Sequence, residues 1–363
     1  MEYTQERVAT LHDYGAADPD APVERAAVVV PMTDREYAGL AAEGVLSTLE
    51  RLAPERVYVP LRAPADRVRP FVEWLDGFDL PLEVLWCSGP RVAELLASVD
   101  LDGEAGKGRD VWLALGLAAR SSYVVLHDAD ARSYTARDVS KLLAPLAEDF
   151  SFVKGYYARV ESGRLYGRLF RLFYAPLVAA LADRIDADVL DYLGAFRYAL
   201  AGECAMTAGV ARSMRVQRRW GLEVGTLGEA YRLAGARDSA QVDLGVYEHD
   251  HRSVSGSMGL GEMSDGVAEA VFRTVEGDGV TPAYDTLPTR YVATAQRFIR
   301  GYAADARFNG FAHDETAERE QVATYREAIA PPGPDTRLPA WEDAPLDAAN
   351  VREAAARDLD AVR

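Results

Sequence analysis

Residues 121 to 130 read Ser-Ser-Tyr-Val-Val-Leu-His-Asp-Ala-Asp, an apolar run that ends abruptly in the carboxylates of Asp128 and Asp130. Such a run reads as a buried strand. Carboxylates one residue apart at its C-terminal end suit a divalent cation carrying phosphate oxygens. Mg²⁺ takes oxygen ligands, usually one or two carboxylates plus substrate phosphates. Mg²⁺ or Mn²⁺ held there would neutralise charge building on a departing diphosphate. Asp-x-Asp also occurs in ordinary turns, and its place directly after Tyr123-Val124-Val125-Leu126 gives it its weight.

Other residues could serve the same chemistry. His249, in Tyr247-Glu248-His249-Asp250-His251, follows a second strand-like run. Alone it reads as a solvated polar turn; with the Asp pair it completes a metal site with one imidazole. Lys107 stands between Gly106 and Gly108 at a helix start. The spacing is not that of a phosphate-binding P-loop. A lysine beside free backbone N–H groups can still face a diphosphate, and here lysine occurs only at 107, 141 and 154. Glu203 and Glu223 are carboxylates in apolar settings, which need partners or a task. Glu223 could instead favour a helix dipole, and Glu203 could make a structural hydrogen bond. Arg168, after Gly167, could hold an acceptor phosphate through its fork, or be one surface arginine among many.

Composition narrows the partners. The net charge is −17 and the pI about 4.8, which disfavours nucleic acid and anionic membrane surfaces. An acidic, Ala-rich, lysine-poor chain fits adaptation to concentrated salt, and a GC-rich genome adds to the Ala and Arg content. Cys87 and Cys204 are the only cysteines. They lack metal-ligand spacing and predict buried thiols in a reducing compartment. The N-terminus carries no secretory pattern. The apolar stretch Leu172 to Ala182 contains Pro176 and is too short to span a bilayer. A cytoplasmic protein is expected.

The elements that must position these residues alternate. Strands are predicted at 26–30, 57–59, 82–86, 123–126, 151–153 and 241–246. Helices are predicted at 35–52, 68–75, 107–119 and 136–147, with helical character over 165–200 broken near Pro176. Alternation of this kind gives an α/β fold with a mostly parallel sheet covered on both faces. Ligands then bind outside the carboxyl ends of the strands, where the Asp pair and the turn after Val30 both fall. Residues 1–24 read as an irregular lead-in and 25–257 as the sheet domain. Helices at 262–275, 287–306 and 314–329 make a helical extension over 258–330. Residues 331–363 read as a linker with a short helix at 346–360. Helical extensions often make oligomer contacts, so a homodimer is expected.

In order, the pieces are Gly106-Lys107-Gly108, strand–Asp-x-Asp, Val153-Lys154, Gly167-Arg168, Gly202-Glu203, Gly221-Leu222-Glu223-Val224-Gly225, and Ala240–Val246 with His249 three residues on. This order resembles glucosyl-3-phosphoglycerate synthases, retaining glycosyltransferases of the GT-A fold. The resemblance covers about residues 26 to 254. It implies a nucleotide-diphosphate glucose donor (a UDP- or GDP-sugar) and a small acceptor such as 3-phosphoglycerate. It implies that Asp130 and His249 hold the metal, with Asp128 beside them and near the ribose and diphosphate. Pro31, Thr33, Lys107 and Ala129 would contact the nucleotide, Gly167 and Arg168 the acceptor phosphate, and Glu223 the transferring sugar. The chain departs from the family at several positions. Asp34-Arg35 stands in place of Asn-Glu, and Val59-Pro60-Leu61-Arg62 in place of a loop with Asp-Ser. Phe170 replaces a threonine and Cys204 a tyrosine.

The expected chemistry is attack by an acceptor hydroxyl on an oxocarbenium-like sugar with retention, Lys107 and the metal steadying the leaving diphosphate. The rival readings are an inverting transferase with Glu203 or Glu223 as base and another acceptor, for example a lipid phosphate; a nucleotidyltransferase; and a degenerate sugar-nucleotide binder.

Overall fold

The computed structural model describes residues 5–250 and 257–362. Its strands are β1 (Ala9–Leu11), β2 (Ala26–Val29), β3 (Met32–Thr33), β4 (Arg56–Arg62), β5 (Leu82–Trp86), β6 (Tyr123–Leu126), β7 (Phe152–Ala158), β8 (Val160–Glu161), β9 (Arg164–Leu165), β10 (Cys204–Thr207) and β11 (Ser239–Val246). Its helices are α1 (Leu40–Leu52), α2 (Ala65–Leu75), α3 (Pro90–Ala97), α4 (Lys107–Ala118), α5 (Ala136–Ala147), α6 (Ala175–Ala182), α7 (Asp188–Ala195), α8 (Ala208–Ser213), α9 (Leu222–Leu233), α10 (Ser257–Gly277), α11 (Leu287–Asn309), α12 (Glu315–Tyr325) and α13 (Ala348–Val362). No described helix is long and apolar enough to cross a membrane.

Nine strands form one sheet in the order β1-β11-β7-β10-β6-β2-β4-β3, with β5 also on β4. All neighbours run parallel except β10, which is antiparallel to both β6 and β7. The expected α/β sheet is therefore present. Strand β2 shows why it is covered on both faces. Ala27 and Val29 enter one apolar cluster, while Ala26, Val28 and Val30 enter the other. A strand buried on both faces reads as a continuous apolar run. One cluster lies under α1, α2 and α5. The other gathers α4, α6, α7 and α9 together with Val271 of α10, Ile299 of α11 and Val322 of α12. The helical extension thus shares the core of the sheet.

Three expectations need correction. The lead-in is not irregular throughout: β1 pairs in parallel with β11, and Lys141 holds it through an ion pair to Asp13 at 2.7 Å. The stretch 165–200 is not one broken helix. It begins at the last residue of the β8–β9 hairpin, passes through a π-helical turn at Leu169–Tyr174 and continues as α6 and α7. Pro176 follows directly on that π-helical turn, at the start of α6. Strands β7 and β11 are longer than expected, and α3 and β10 were not expected.

The C-terminal segment is strapped onto the domain. The Leu338 backbone pairs with Val216. The Trp341 ring stacks on Trp112 of α4 at 4.2 Å, and each indole N–H finds a backbone carbonyl. Asp358 of α13, fully buried, accepts from the backbone N–H of Arg91 and Val92 at 2.9 and 3.2 Å. It therefore caps α3, whose own preceding residue is Gly89. Asp358→Ala should cost about 2 kcal/mol, the upper range for a lost cap, and lower the melting temperature by a few degrees. Asp358→Asn should recover part of the loss in the same denaturation measurement.

Candidate active site

The carboxyl ends of β2, β4 and β6 open onto one cleft, as parallel α/β sheets require. Helix α4 starts there because Gly106 and Gly108 let it press against the 217–219 backbone. A β-carbon on Gly108 would collide with the Gln217 carbonyl. Helix α9 enters beside it through Gly221, whose φ of 87° is left-handed and whose Hα faces the Gly266 carbonyl too closely for any side chain. These two close approaches bring Lys107 and Glu223 to the same point as Asp128.

Lys107 Nζ lies 2.6 Å from Asp128 Oδ1 and 3.0 Å from Glu223 Oε1. Burial works against its charge, but the two carboxylates outweigh that and hold the ammonium well above its ordinary pKa. Asp128 is lowered correspondingly: burial opposes its charge and Lys107 overcomes it. Asp130 behaves in the opposite way. Burial and the neighbouring Asp128 push it up to about 7.

His249 is brought alongside by backbone pairing. Residues Ala131 and His249 form an antiparallel bridge, Asp250 N–H donates to the Asp130 carbonyl at 2.7 Å, and Arg132 N–H to that of Glu248 at 2.8 Å. Asp130, His249, Asp128 and Lys107 all line one cavity of about 510 Å³, a size that accepts a small ligand. Among the described residues no three His, Cys, Asp or Glu side chains form a closed metal cage, and Asp128 gives one oxygen to Lys107. The donor chemistry of Asp130 and His249 fits a cation completed by phosphate and water. His251 lies outside the described residues.

Gly167 and Arg168 line the far side of the same cavity. Gly167 has φ of 73° and meets the Tyr198 ring. Pro31 stands beside Lys107 and Asp128 at a small inner cavity of about 10 Å³. Ala129 is buried between the two aspartates. Thr33 is not brought to the Asp pair. Its N–H and hydroxyl are engaged by Glu36 at 2.5 and 2.8 Å, and it lines an adjoining cavity of about 720 Å³ that shares Arg62 and Trp220 with the main one. His12 hydrogen-bonds the Tyr156 hydroxyl, and His313 faces Glu318, both away from the cleft.

Sequence reasoning missed Tyr157, Arg159 and Tyr198, which line the main cavity. Arg159 donates to the Tyr198 hydroxyl at 3.4 Å. For Tyr157 and Arg159 the signal available was their place at the end of β7, the same edge as the Asp pair; Tyr198, between α7 and β10, offered none. Glu203 is fully buried, and neither carboxylate oxygen has a hydrogen bond of good geometry. Burial first, then the charge on Asp128, push it up to about 8.

A mostly parallel sheet with one antiparallel insertion, carrying Asp-x-Asp and a helix-start lysine at its carboxyl edge, defines a glycosyltransferase of the GT-A fold. No protein-family model matches the chain. It is 34% identical to the glucosyl-3-phosphoglycerate synthase of Methanococcoides burtonii, across 97% of this chain and 96% of that protein. It is also 34% identical to the synthase of Persephonella marina, across 83% and 79%. The chain belongs to the family of glucosyl-3-phosphoglycerate synthases. The fold agrees with the crystal structure of the Mycobacterium tuberculosis synthase in complex with Mn²⁺, UDP-glucose and phosphoglyceric acid. That match has a TM-score of 0.57 and 23% identity, covering 77% of this chain and 90% of the other.

The raised Glu203 gives a pH test. Its carboxyl keeps its proton in the folded state up to about pH 8, while the unfolded chain releases it near the ordinary value of about 4.3. The stability it contributes is complete below that lower pH and is lost as pH rises through about 8. Glu203→Gln should therefore gain melting temperature relative to wild type between pH 5 and about pH 8 and level off above it, a trend that parallel thermal melts would detect.

Proposed function

We propose that this chain transfers glucose from UDP-glucose to a phosphoglycerate acceptor, with retention of the anomeric configuration. The observation that carries this reading is Lys107 between Asp128 and Glu223, at the mouth of a cavity that also holds Asp130, His249 and Arg168. It is supported by relatives named for that activity and by the bound molecules of the mycobacterial structure. Related crystals of the mycobacterial enzyme hold Mg²⁺ with UDP.

Asp130 and His249 would hold Mg²⁺ or Mn²⁺, with Asp128 beside them. The cation would supply charge neutralisation for the departing diphosphate. Lys107 would face that diphosphate together with the free N–H groups at the start of α4. The backbone at Pro31 and Ala129 would flank the nucleotide, and Thr33 would act from the cavity it shares with Arg62 and Trp86. Glu223, bound to Lys107 in the resting site, would orient the sugar and steady positive charge as the glycosidic bond loosens. Gly167 and Arg168 would take the acceptor phosphate, and the acceptor hydroxyl would attack from the face the diphosphate leaves.

The finer partner readings are ours as well. Two buried free thiols suit a reducing, cytoplasmic setting, and the charge of −17 suits concentrated salt. The helical extension is read as a homodimer contact; Phe308 on α11 is 91% exposed.

Protein incubated with UDP-glucose, 3-phosphoglycerate and Mn²⁺ should release UDP and an α-glucoside, seen in the anomeric region of the NMR spectrum. A β-glucoside would favour the inverting reading; release of pyrophosphate from a separate incubation with UTP and glucose 1-phosphate would favour the nucleotidyltransferase. Asp130→Ala should fold and lose about 10²–10³ in rate, the scale of a removed electrostatic stabiliser. Arg168→Ala should raise the acceptor KM about tenfold, the worth of one charge-assisted hydrogen bond, and leave the donor KM unchanged.

A further inference from the structure

Of the chain's lysines, Lys107 and Lys141 make ion pairs. Lys154 does not, among the described residues. It sits on β7, 1% exposed, and its ammonium donates one hydrogen bond, to the Ala201 carbonyl at 2.6 Å. An ammonium carries three donors, and burying a charge without a close counter-charge is costly. Burial pushes this lysine's pKa down, against the weaker pull of Cys204, Glu223 and Glu203. Methionine or leucine would fill the same space at less cost, so the charge itself has a task.

The task lies in what the ammonium grips. Ala201 belongs to the segment between α7 and β10. Tyr198 and Leu200 of that segment line the main cavity. Gly202 is pressed so closely on the Asp128 carboxylate that a β-carbon there would collide with it. Lys154 stands on the other side, across the small inner cavity that Lys107, Asp128 and Glu223 also border. At the end of the segment, the Glu203 carbonyl accepts from Gly155 N–H at 2.9 Å.

We infer that Lys154 is a positioning residue for transfer: its ammonium pins the Leu200-Ala201-Gly202 backbone from behind, making it a fixed wall of the cleft beside Asp128. The wall touches the substrate-facing cavity and the lysine does not. This inference rests on the transfer reading proposed above.

Lys154→Met is assayed with UDP-glucose, 3-phosphoglycerate and Mn²⁺, beside thermal shifts with UDP and Mn²⁺. The expected result is a split. The kcat falls tenfold or more, while the donor KM and the nucleotide-induced shift stay within threefold and a few degrees of wild type. The share of UDP-glucose lost to water as free glucose rises, because the sugar is less well directed. Lys154→Gln keeps a donor for the Ala201 carbonyl and gives an intermediate kcat with the wild-type nucleotide shift; it decides the matter if Lys154→Met does not fold. Retention of wild-type kcat by Lys154→Met overturns the inference. So does an equal fall in kcat and nucleotide binding, which a packing role alone would give. A wild type that binds UDP with Mn²⁺ but glucosylates no acceptor counts against the transfer reading. The hydrolysis rates of UDP-glucose in the two variants then judge the wall by itself.

Discussion

The site depends on one ammonium held between two carboxylates. Without Lys107, Asp128 and Glu223 would face each other as like charges at a partly buried point, with Asp130 adding a third. That arrangement is costly. The ammonium makes it stable in the resting protein and sets the lengths to which α4, β6 and α9 must be placed. It also gives the site a charge that can be shared with an incoming diphosphate, since Lys107 remains about one-third exposed.

Much of the surrounding structure serves that placement. Gly108 and Gly221 allow helix starts to meet backbone at distances no side chain permits. Arg109 N–H donates to the Arg218 carbonyl at 2.9 Å, tying the first turn of α4 to the segment that leads into α9. The C-terminal strap reinforces the same joint from outside. Arg218 donates to the Thr336 carbonyl, Val216 pairs with Leu338, and Trp112 of α4 stacks on Trp341. A segment that reads as a linker is therefore part of the frame that fixes Lys107 against Glu223. Residues 336–341 reach both sides of the joint.

The sheet and the side chains gathered at its carboxyl edge were legible because their signals are local. Continuous apolar runs marked β2 and β6, and glycine-bounded starts marked α4 and α9. The Asp pair followed from the end of a strand, and His249 from the end of another. The missed features are those set by tertiary pairing. Strand β10 is four residues long and buried on both faces, so it shows neither alternation nor length. Strand β1 is an edge strand of three residues whose existence depends on β11. Helix α3 is short and takes its cap from Asp358, more than 260 residues away. Arg159 and Tyr198 come from separate elements, and only the fold joins them.

The central claim is that Lys107 and a cation beside Asp130 together receive a nucleoside diphosphate. The most direct measurement is the thermal shift produced by UDP, with and without Mn²⁺, on wild type and on Lys107→Met. A ligand that binds only the folded state stabilises it in proportion to the logarithm of its concentration over its dissociation constant. The account predicts a shift of several degrees for wild type that requires Mn²⁺ and is largely absent in Lys107→Met. An equal shift in the two proteins, or one indifferent to the metal, would contradict it.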